Sequence, residues 1–335
     1  MNPFMRLFMG VLLRAKLSRH APPVGSPSDG ALPLPQDRIK IGAVQWNAEP
    51  VRRVDEWTRR VEDLFREASR VHCHLLVFPE YLPLSLLGAL MPDGTGAHTL
   101  TDATIQSVLR TTAPALQRFW LKWMSALSRQ HHLVTVAGSG LMVRHGRLQN
   151  VAVIFDKDGQ IIGQQPKLHV LPDETRWGIA AGDTLSQPSL PPWGVTSIVC
   201  NDATYFETFR MAAAQGARII AVPIADPEAR YTVGKARRGC FSQVQDVPMV
   251  GVVSAATGRL FGLRLSGKAG IYLPAELTPD GSGVLAESDL PIGEGLVSAV
   301  VSLNQLAAFQ AERVARHPLP PEDFLQALYH VEEDR

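Results

Sequence analysis

Apolar positions in the first twenty residues fall on one helical face. Phe4, Leu7, Phe8, Val11, Leu12 and Ala15 recur at three- and four-residue spacing, with Arg6, Arg14, Lys16 and Arg19 among them and no acid. This pattern predicts a basic amphipathic helix over residues 1–20. Residues 21–37 carry Pro22, Pro23, Pro27, Pro33 and Pro35 without helical periodicity, which predicts a semi-extended linker. From Ile39 the period changes. Residues 39–45 form an apolar β run, and Val51, Val54, Trp57, Val61, Leu64, Phe65 and Ala68 mark one face of a helix. Residues 75–78 read as a buried strand, and a long helix follows over about 103–130. A strand over 133–138 comes next, then a hairpin pairing 150–156 with 160–165 through Lys157-Asp158-Gly159.

A second half repeats this logic. Strands are predicted at 195–200, 218–222 and 249–254, helices at 205–215 and 235–247, and a β-rich region over 269–303. After Pro318, Pro320 and Pro321, the apolar Phe324, Leu325 and Leu328 predict a closing helix over 322–330. Strands alternating with helices and ending in antiparallel hairpins indicate sheets covered by helices, a layered α/β sandwich filling residues 38–335 as one domain.

Composition narrows the functional classes. Hydrophobic residues make up 45% of the 335 and charged residues 19%, so the chain can build a large core and is not a disordered polymer. A net charge of +1 gives no electrostatic footprint for nucleic acid. The exception is local: the basic helix suits either an anionic membrane surface or docking on this or a neighbouring subunit. A cleaved targeting segment fits less well, because the apolar stretch over residues 7–13 is short and no A-x-A site follows. No apolar run reaches the roughly 18 residues of a bilayer span. Three cysteines, Cys73, Cys200 and Cys240, are too few and of the wrong parity for a disulfide framework. That usage points to the cytoplasm, with the helix as a candidate peripheral membrane contact.

Three stretches carry candidate chemistry. Cys200 ends a predicted strand and precedes a helical segment, where a thiol meets unpaired N–H groups and the positive end of a helix dipole; alone, it reads equally well as an inert buried cysteine. Glu80 follows the apolar strand and Pro79. A carboxylate delivered there is either a surface turn residue or a buried acid whose raised pKa suits a general base. Lys167 stands between apolar neighbours in a strand-like stretch, where a fixed cation can hold a developing oxyanion. Other groups carry less. His72-Cys73-His74 lacks a second ligand cluster at metal spacing, and Arg230, Lys235, Arg237 and Arg238 read first as a solvated face, with a substrate carboxylate as the alternative occupant.

Taken together, Phe78-Pro79-Glu80-Tyr81, Lys167-Leu168-His169 with Pro172 and Glu174, and Cys200-Asn201-Asp202 resemble the glutamate, lysine and nucleophile motifs of the nitrilase superfamily of carbon–nitrogen hydrolases, in matching order. The resemblance covers about residue 39 to the C-terminal helix and leaves out residues 1–38. It implies a four-layer α-β-β-α sandwich, homodimeric or of higher order, without metal or organic cofactor. It also implies Cys200 as nucleophile, Glu80 as general base, Lys167 with the backbone N–H of Asn201 as oxyanion hole, and Glu174 as a second, positioning acid. Tyr81, Tyr205 and Arg230 are the candidate substrate contacts. Asn201-Asp202 after the nucleophile is similar to the amidase-type members rather than to the nitrilases, which implies a small or lipid-like amide substrate. N-carbamoyl hydrolysis, nitrile hydrolysis and N-acyl transfer share the triad. A catalytically silent assembly protein is the remaining alternative. Departures at Thr204-Tyr205-Phe206-Glu207 and near residues 243–248 place any novelty in the pocket and its packing.

Overall fold

The computed structural model describes residues 3–23, 34–90, 101–228, 230–260 and 262–316. The predicted closing helix and residues 24–33 of the predicted linker lie outside them. In chain order, the first half comprises α1 (Pro3–Ser18), β1 (Arg38–Asn47), α2 (Val54–Arg70), β2 (Leu75–Val77), a 3₁₀ segment Leu82–Leu90, α3 (Asp102–His131), β3 (Val134–Arg144), β4 (Arg147–Phe155), β5 (Ile161–Pro166) and α4 (Pro172–Arg176). The second half comprises β6 (Val195–Ser197), a 3₁₀ turn Cys200–Thr204, α5 (Phe206–Ala214), β7 (Ile219–Ile224), α6 (Val233–Ala236), α7 (Ser242–Asp246), β8 (Val250–Leu260), β9 (Leu263–Leu265), β10 (Gly270–Tyr272), β11 (Val284–Glu287), β12 (Gly295–Ser302) and α8 (Leu303–Arg316).

Strand pairing gives two runs. One is β12-β1-β2-β3-β4-β5, the other β6-β7-β8-β10-β11, and they join where Gln45–Asn47 of β1 pairs in parallel with Ala255–Thr257 of β8. Side-chain alternation then sorts the apolar residues into three spaces. Ile39, Ile41, Leu75, Val77, Val134 and Val136 of the first run meet Ile219, Ala221, Val250 and Val252 of the second between the sheets. Leu76 and Phe78 face the other way, onto Trp57, Val61 and Phe65 of α2 and Trp120 and Met124 of α3. Ile220 and Val222 face Phe209 and Ala212 of α5 and Val244 of α7. Three apolar spaces between helix, sheet, sheet and helix make the four-layer α-β-β-α sandwich.

One expectation changes and one open alternative is narrowed. The helix over 235–247 is broken: α6 passes into a widened turn, Arg237–Phe241, where Gly239 leaves helical geometry (φ −91°, ψ −126°), before α7 begins. Gly234 and Gly239 explain the break, since glycine costs about 1 kcal/mol in a helix interior relative to alanine. Of the readings open for the N-terminal helix, docking on this chain is the one its buried residues take. Leu13 and Leu17 of α1 are buried against the layer formed by α3 and the Leu82–Leu90 segment, and Lys16 Nζ donates to the Ala89 carbonyl at 2.5 Å. Phe8 and Val11 stay exposed on its outer side. Among the described residues no helix is long and apolar enough to cross a membrane.

Candidate active site

Each reactive side chain sits where a strand has just ended. Past β2, Phe78 N donates to the Val136 carbonyl at 2.9 Å and Ser139 N to the Pro79 carbonyl at 3.2 Å, so β3 holds this segment in place. Gly138 makes the approach possible: at φ +71° it bulges β3, and a Cβ there would sit 2.0 Å from the Pro79 oxygen. Glu80 is thereby delivered into the interior, and Tyr81 follows in the left-handed region at φ +59°. Lys167 comes immediately after β5, its N–H donating to the Asn150 carbonyl at 2.8 Å. Cys200 opens the turn after β6 at φ +49°. Left-handed geometry at two non-glycine residues is strain that the surrounding packing must hold.

At the centre lies the Lys167 ammonium. Its Nζ is 2.9 Å from Glu80 Oε1 and 2.8 Å from Glu174 Oε2, all three side chains being buried. Asn150 Nδ2 donates to Glu80 Oε1 at 2.8 Å and to Glu174 Oε1 at 3.4 Å. Glu80 Oε2 accepts from the Ala225 N–H at 2.8 Å, and Glu174 Oε2 from the Leu171 N–H at 2.7 Å. The Tyr81 hydroxyl donates to Glu174 Oε1. The Glu80 carboxylate also stands close enough to the Cys200 thiol for each to shift the other's proton affinity. Two buried carboxylates thus share one cation, which leaves the cluster with surplus negative charge.

That surplus sets the proton affinities. Burial, opposed by Lys167 and reinforced by Glu174, raises the Glu80 carboxyl to about 6. Burial and then the Glu80 charge push the Cys200 thiol well above its ordinary value. Desolvation disfavours the Lys167 ammonium, but the charges of Glu80, Cys200 and Glu174 outweigh it and the ammonium persists. The resting site is a neutral thiol beside a carboxylate of raised basicity, an arrangement in which the thiol can act as a nucleophile only by giving up its proton, with Glu80 placed to take it. Cys73 and Cys240 are also raised by burial, Cys73 to about 11, with Lys40 and Glu67 acting on Cys73 in opposite senses.

One buried acid joins the lysine and cysteine segments. Asp202 accepts from the Val199 N–H at 3.0 Å, the Leu168 N–H at 3.0 Å and the His169 N–H at 2.6 Å, and its Oδ1 lies 3.1 Å from His169 Nδ1. Asn201 completes the join, its side-chain amide donating to the His169 carbonyl at 3.2 Å.

Glu80, Lys167, Glu174, Cys200 and Tyr81 therefore converge, and Asn201 adjoins them. Tyr205 does not reach the cluster through these contacts; it stacks on His169 at 3.7 Å between ring centroids and stays 37% exposed. Arg230 is exposed and lines a different cavity, together with Lys235, Lys268 and Asp226. Its neighbouring cations are paired there: Lys235 with Asp226 at 2.6 Å and Glu228 at 2.5 Å, Arg237 with Glu287 at 3.0 Å. In the His72-Cys73-His74 stretch, Cys73 is buried and His74 Nδ1 accepts from the Lys40 N–H at 2.9 Å. Among the described residues no three His, Cys, Asp or Glu side chains form a metal cluster. Asn150 and the Ala225 N–H were missed in the sequence.

Residues 40–245 match the family model of carbon-nitrogen hydrolases. The chain belongs to that family. This carbon–nitrogen hydrolase is 24% identical over 300 residues to a probable hydrolase, YhcX, of Bacillus subtilis, a match covering 88% of this chain and 55% of that protein. It is 32% identical over 108 residues to the hydrolase in the agr operon of Staphylococcus lugdunensis, covering 31% of this chain and 46% of that protein. The chain thus spans about half the length of these relatives. Its fold is shared with nitrilase-superfamily structures. An amidase from Nesterenkonia sp. AN1, solved in complex with acrylamide, superposes with TM-score 0.60 at 18% identity over 87% of this chain and 100% of that one. Nit3 of Saccharomyces cerevisiae gives 0.62 at 16% over 88% and 99%.

Proposed function

We propose that the protein is a thiol amidohydrolase that cleaves a non-peptide amide bond through a thioester on Cys200. The observation that carries this is the Lys167 ammonium held between Glu80 and Glu174, with the Glu80 carboxylate acting on the Cys200 thiol. Glu80 takes the Sγ proton as the sulfur bonds to the amide carbon. The carbonyl electron pair moves onto oxygen, which meets Lys167 and the Asn201 N–H at the start of the helical turn, where backbone donors lack intrahelical partners. The oxyanion collapses, the C–N bond breaks, and the nitrogen leaves with the proton from Glu80. A water deprotonated by Glu80 then attacks the thioester, the C–S bond breaks, and the sulfur regains its proton. An amine in place of that water gives acyl transfer from the same intermediate, and Glu174 and Tyr81 position Lys167 in either case.

Iodoacetamide labelling followed by peptide mass spectrometry, alongside ammonia release from a panel of primary amides, tests this. Cys200 is expected to label at least tenfold faster than Cys73 and Cys240, and Glu80→Gln to abolish the difference together with turnover. Equal labelling of all three cysteines, with no ammonia released from any amide, would favour the silent assembly protein instead.

A further inference from the structure

Above Glu80 and Lys167 stands a wall built by a hairpin. β8 runs to Leu260 and β9 returns antiparallel to it from Leu263, with Leu260 opposite Leu263 and Gly258 opposite Leu265. Opposed residues of an antiparallel pair share a face, as do residues two apart on one strand. Leu260, Leu263 and Leu265 therefore present one apolar face, while Arg259 and Arg264 are exposed. With Leu171, Trp177 and Pro227, that face lines an open cavity whose floor is Glu80, Tyr81, Lys167 and Glu174.

The charges around this cavity are one-sided. Among the described residues the one cation lining it is Lys167, which already contacts two carboxylates, and Asp173 adds a third lining acid. A carboxylate on the substrate would lose water against leucine side chains and gain repulsion from Glu80 and Glu174. The cations that could receive an anion, Arg230, Lys235 and Lys268, line the other cavity, whose wall takes Asp226 and Glu228 where this one takes Ala225 and Pro227.

We propose that the leucine-walled cavity is the acyl site, and that it selects amides of uncharged, apolar carboxylic acids over amides carrying a second carboxylate. This rests on the amidohydrolase reading above. It replaces Arg230 as the expected determinant of substrate choice by the β8–β9 hairpin.

Full-length Cys200→Ala protein, titrated calorimetrically with acetamide, butyramide, hexanamide and succinamic acid, reads binding without turnover; ammonia release by the unsubstituted enzyme reads turnover. Kd is expected to fall about fourfold per added methylene, and kcat/KM to climb in step. Succinamic acid is expected to bind at least tenfold more weakly than butyramide. Leu263→Asn, a change at a half-buried position, should lower the hexanamide-to-acetamide ratio of kcat/KM about tenfold or more. Absent binding, a flat dependence on chain length, or a preference for succinamic acid overturns the acyl site. Chain-length-dependent binding with no turnover of any amide overturns the amidohydrolase reading and leaves the cavity assignment standing.

Discussion

Glu80 illustrates how burial produces reactivity. In water its carboxylate would be a weak proton acceptor at neutral pH; buried beside Glu174 it is raised to about 6, still ionised near pH 7 but ready to take a proton from the thiol. Below that value Glu80 carries its own proton and the thiol has no base. The acid limb of kcat/KM should therefore lie near pH 6, about 1.5 units above an ordinary glutamate, with activity falling roughly tenfold per unit further down. A profile of ammonia release between pH 4.5 and 8 measures this; a limb near the ordinary glutamate value would remove Glu80 as the base. Glu80→Gln keeps the shape but cannot accept the proton, and should lower kcat by about 10²–10⁴-fold. Glu80, Lys167 and Cys200 stood out in the sequence because each is a lone reactive group beside an apolar run and because their three motifs resemble those of the family. Asn150 did not, since an uncharged amide in a strand carries no mark of the two carboxylates it bridges.

At the scale of elements, the site depends on how strand ends are held together. Asp202 was visible in its motif, but its task was not, because the N–H groups of Val199, Leu168 and His169 that it receives have no signature in sequence. Asp202→Ala leaves these donors without their acceptor, at about 1–3 kcal/mol for each that stays dry. It should lower the urea midpoint and also kcat, with KM changed less. Loss of stability with kcat intact would make Asp202 merely structural. Gly138→Ala is the sharper test of how Glu80 is placed. Its Cβ would collide with the Pro79 oxygen at 2.0 Å and its φ of +71° disfavours any side chain, so the Pro79-Glu80 segment must shift. A loss of about 2 kcal/mol or more in stability, together with most of the activity, is expected. The β8–β9 hairpin escaped the sequence reading because the strand prediction stopped at residue 254; beyond it, Leu260, Leu263 and Leu265 alternate with arginines across a short turn, a period-two pattern too brief to stand out. The 235–247 helix failed for the opposite reason, its apolar period outweighing two glycines.

Over the whole molecule, sheets covered by helices were legible because β1, β2 and β7 each send alternate residues to two different apolar spaces, which near-continuous apolar runs announce, whereas the count of four layers came from the resemblance. The place of α1 was not legible, because a basic amphipathic helix has the same pattern whether its apolar face meets protein or lipid. The structure separates its residues: Leu13 and Leu17 face the protein at 0% and 4% exposure, whereas Phe8 and Val11 face outward at 58% and 55%. These pairs should respond differently. Leu13→Ala opens a cavity against the α3 layer and should cost about 2–5 kcal/mol, read as a lower urea midpoint at unchanged slope. Phe8→Ser removes only exposed surface and should stay within about 0.5 kcal/mol. Matching small effects at both positions would mean that α1 is not docked in solution. We further propose that any contact with an anionic membrane runs through the outward pair, because inserting Leu13 and Leu17 would first require undocking the helix and losing that same 2–5 kcal/mol per leucine. Co-sedimentation with anionic vesicles then has a definite expectation: Phe8→Ser lowers pelleting without touching the urea midpoint, and a Leu13→Ala protein that pellets more strongly than the unsubstituted chain would show instead that the membrane competes with α3 for the same face.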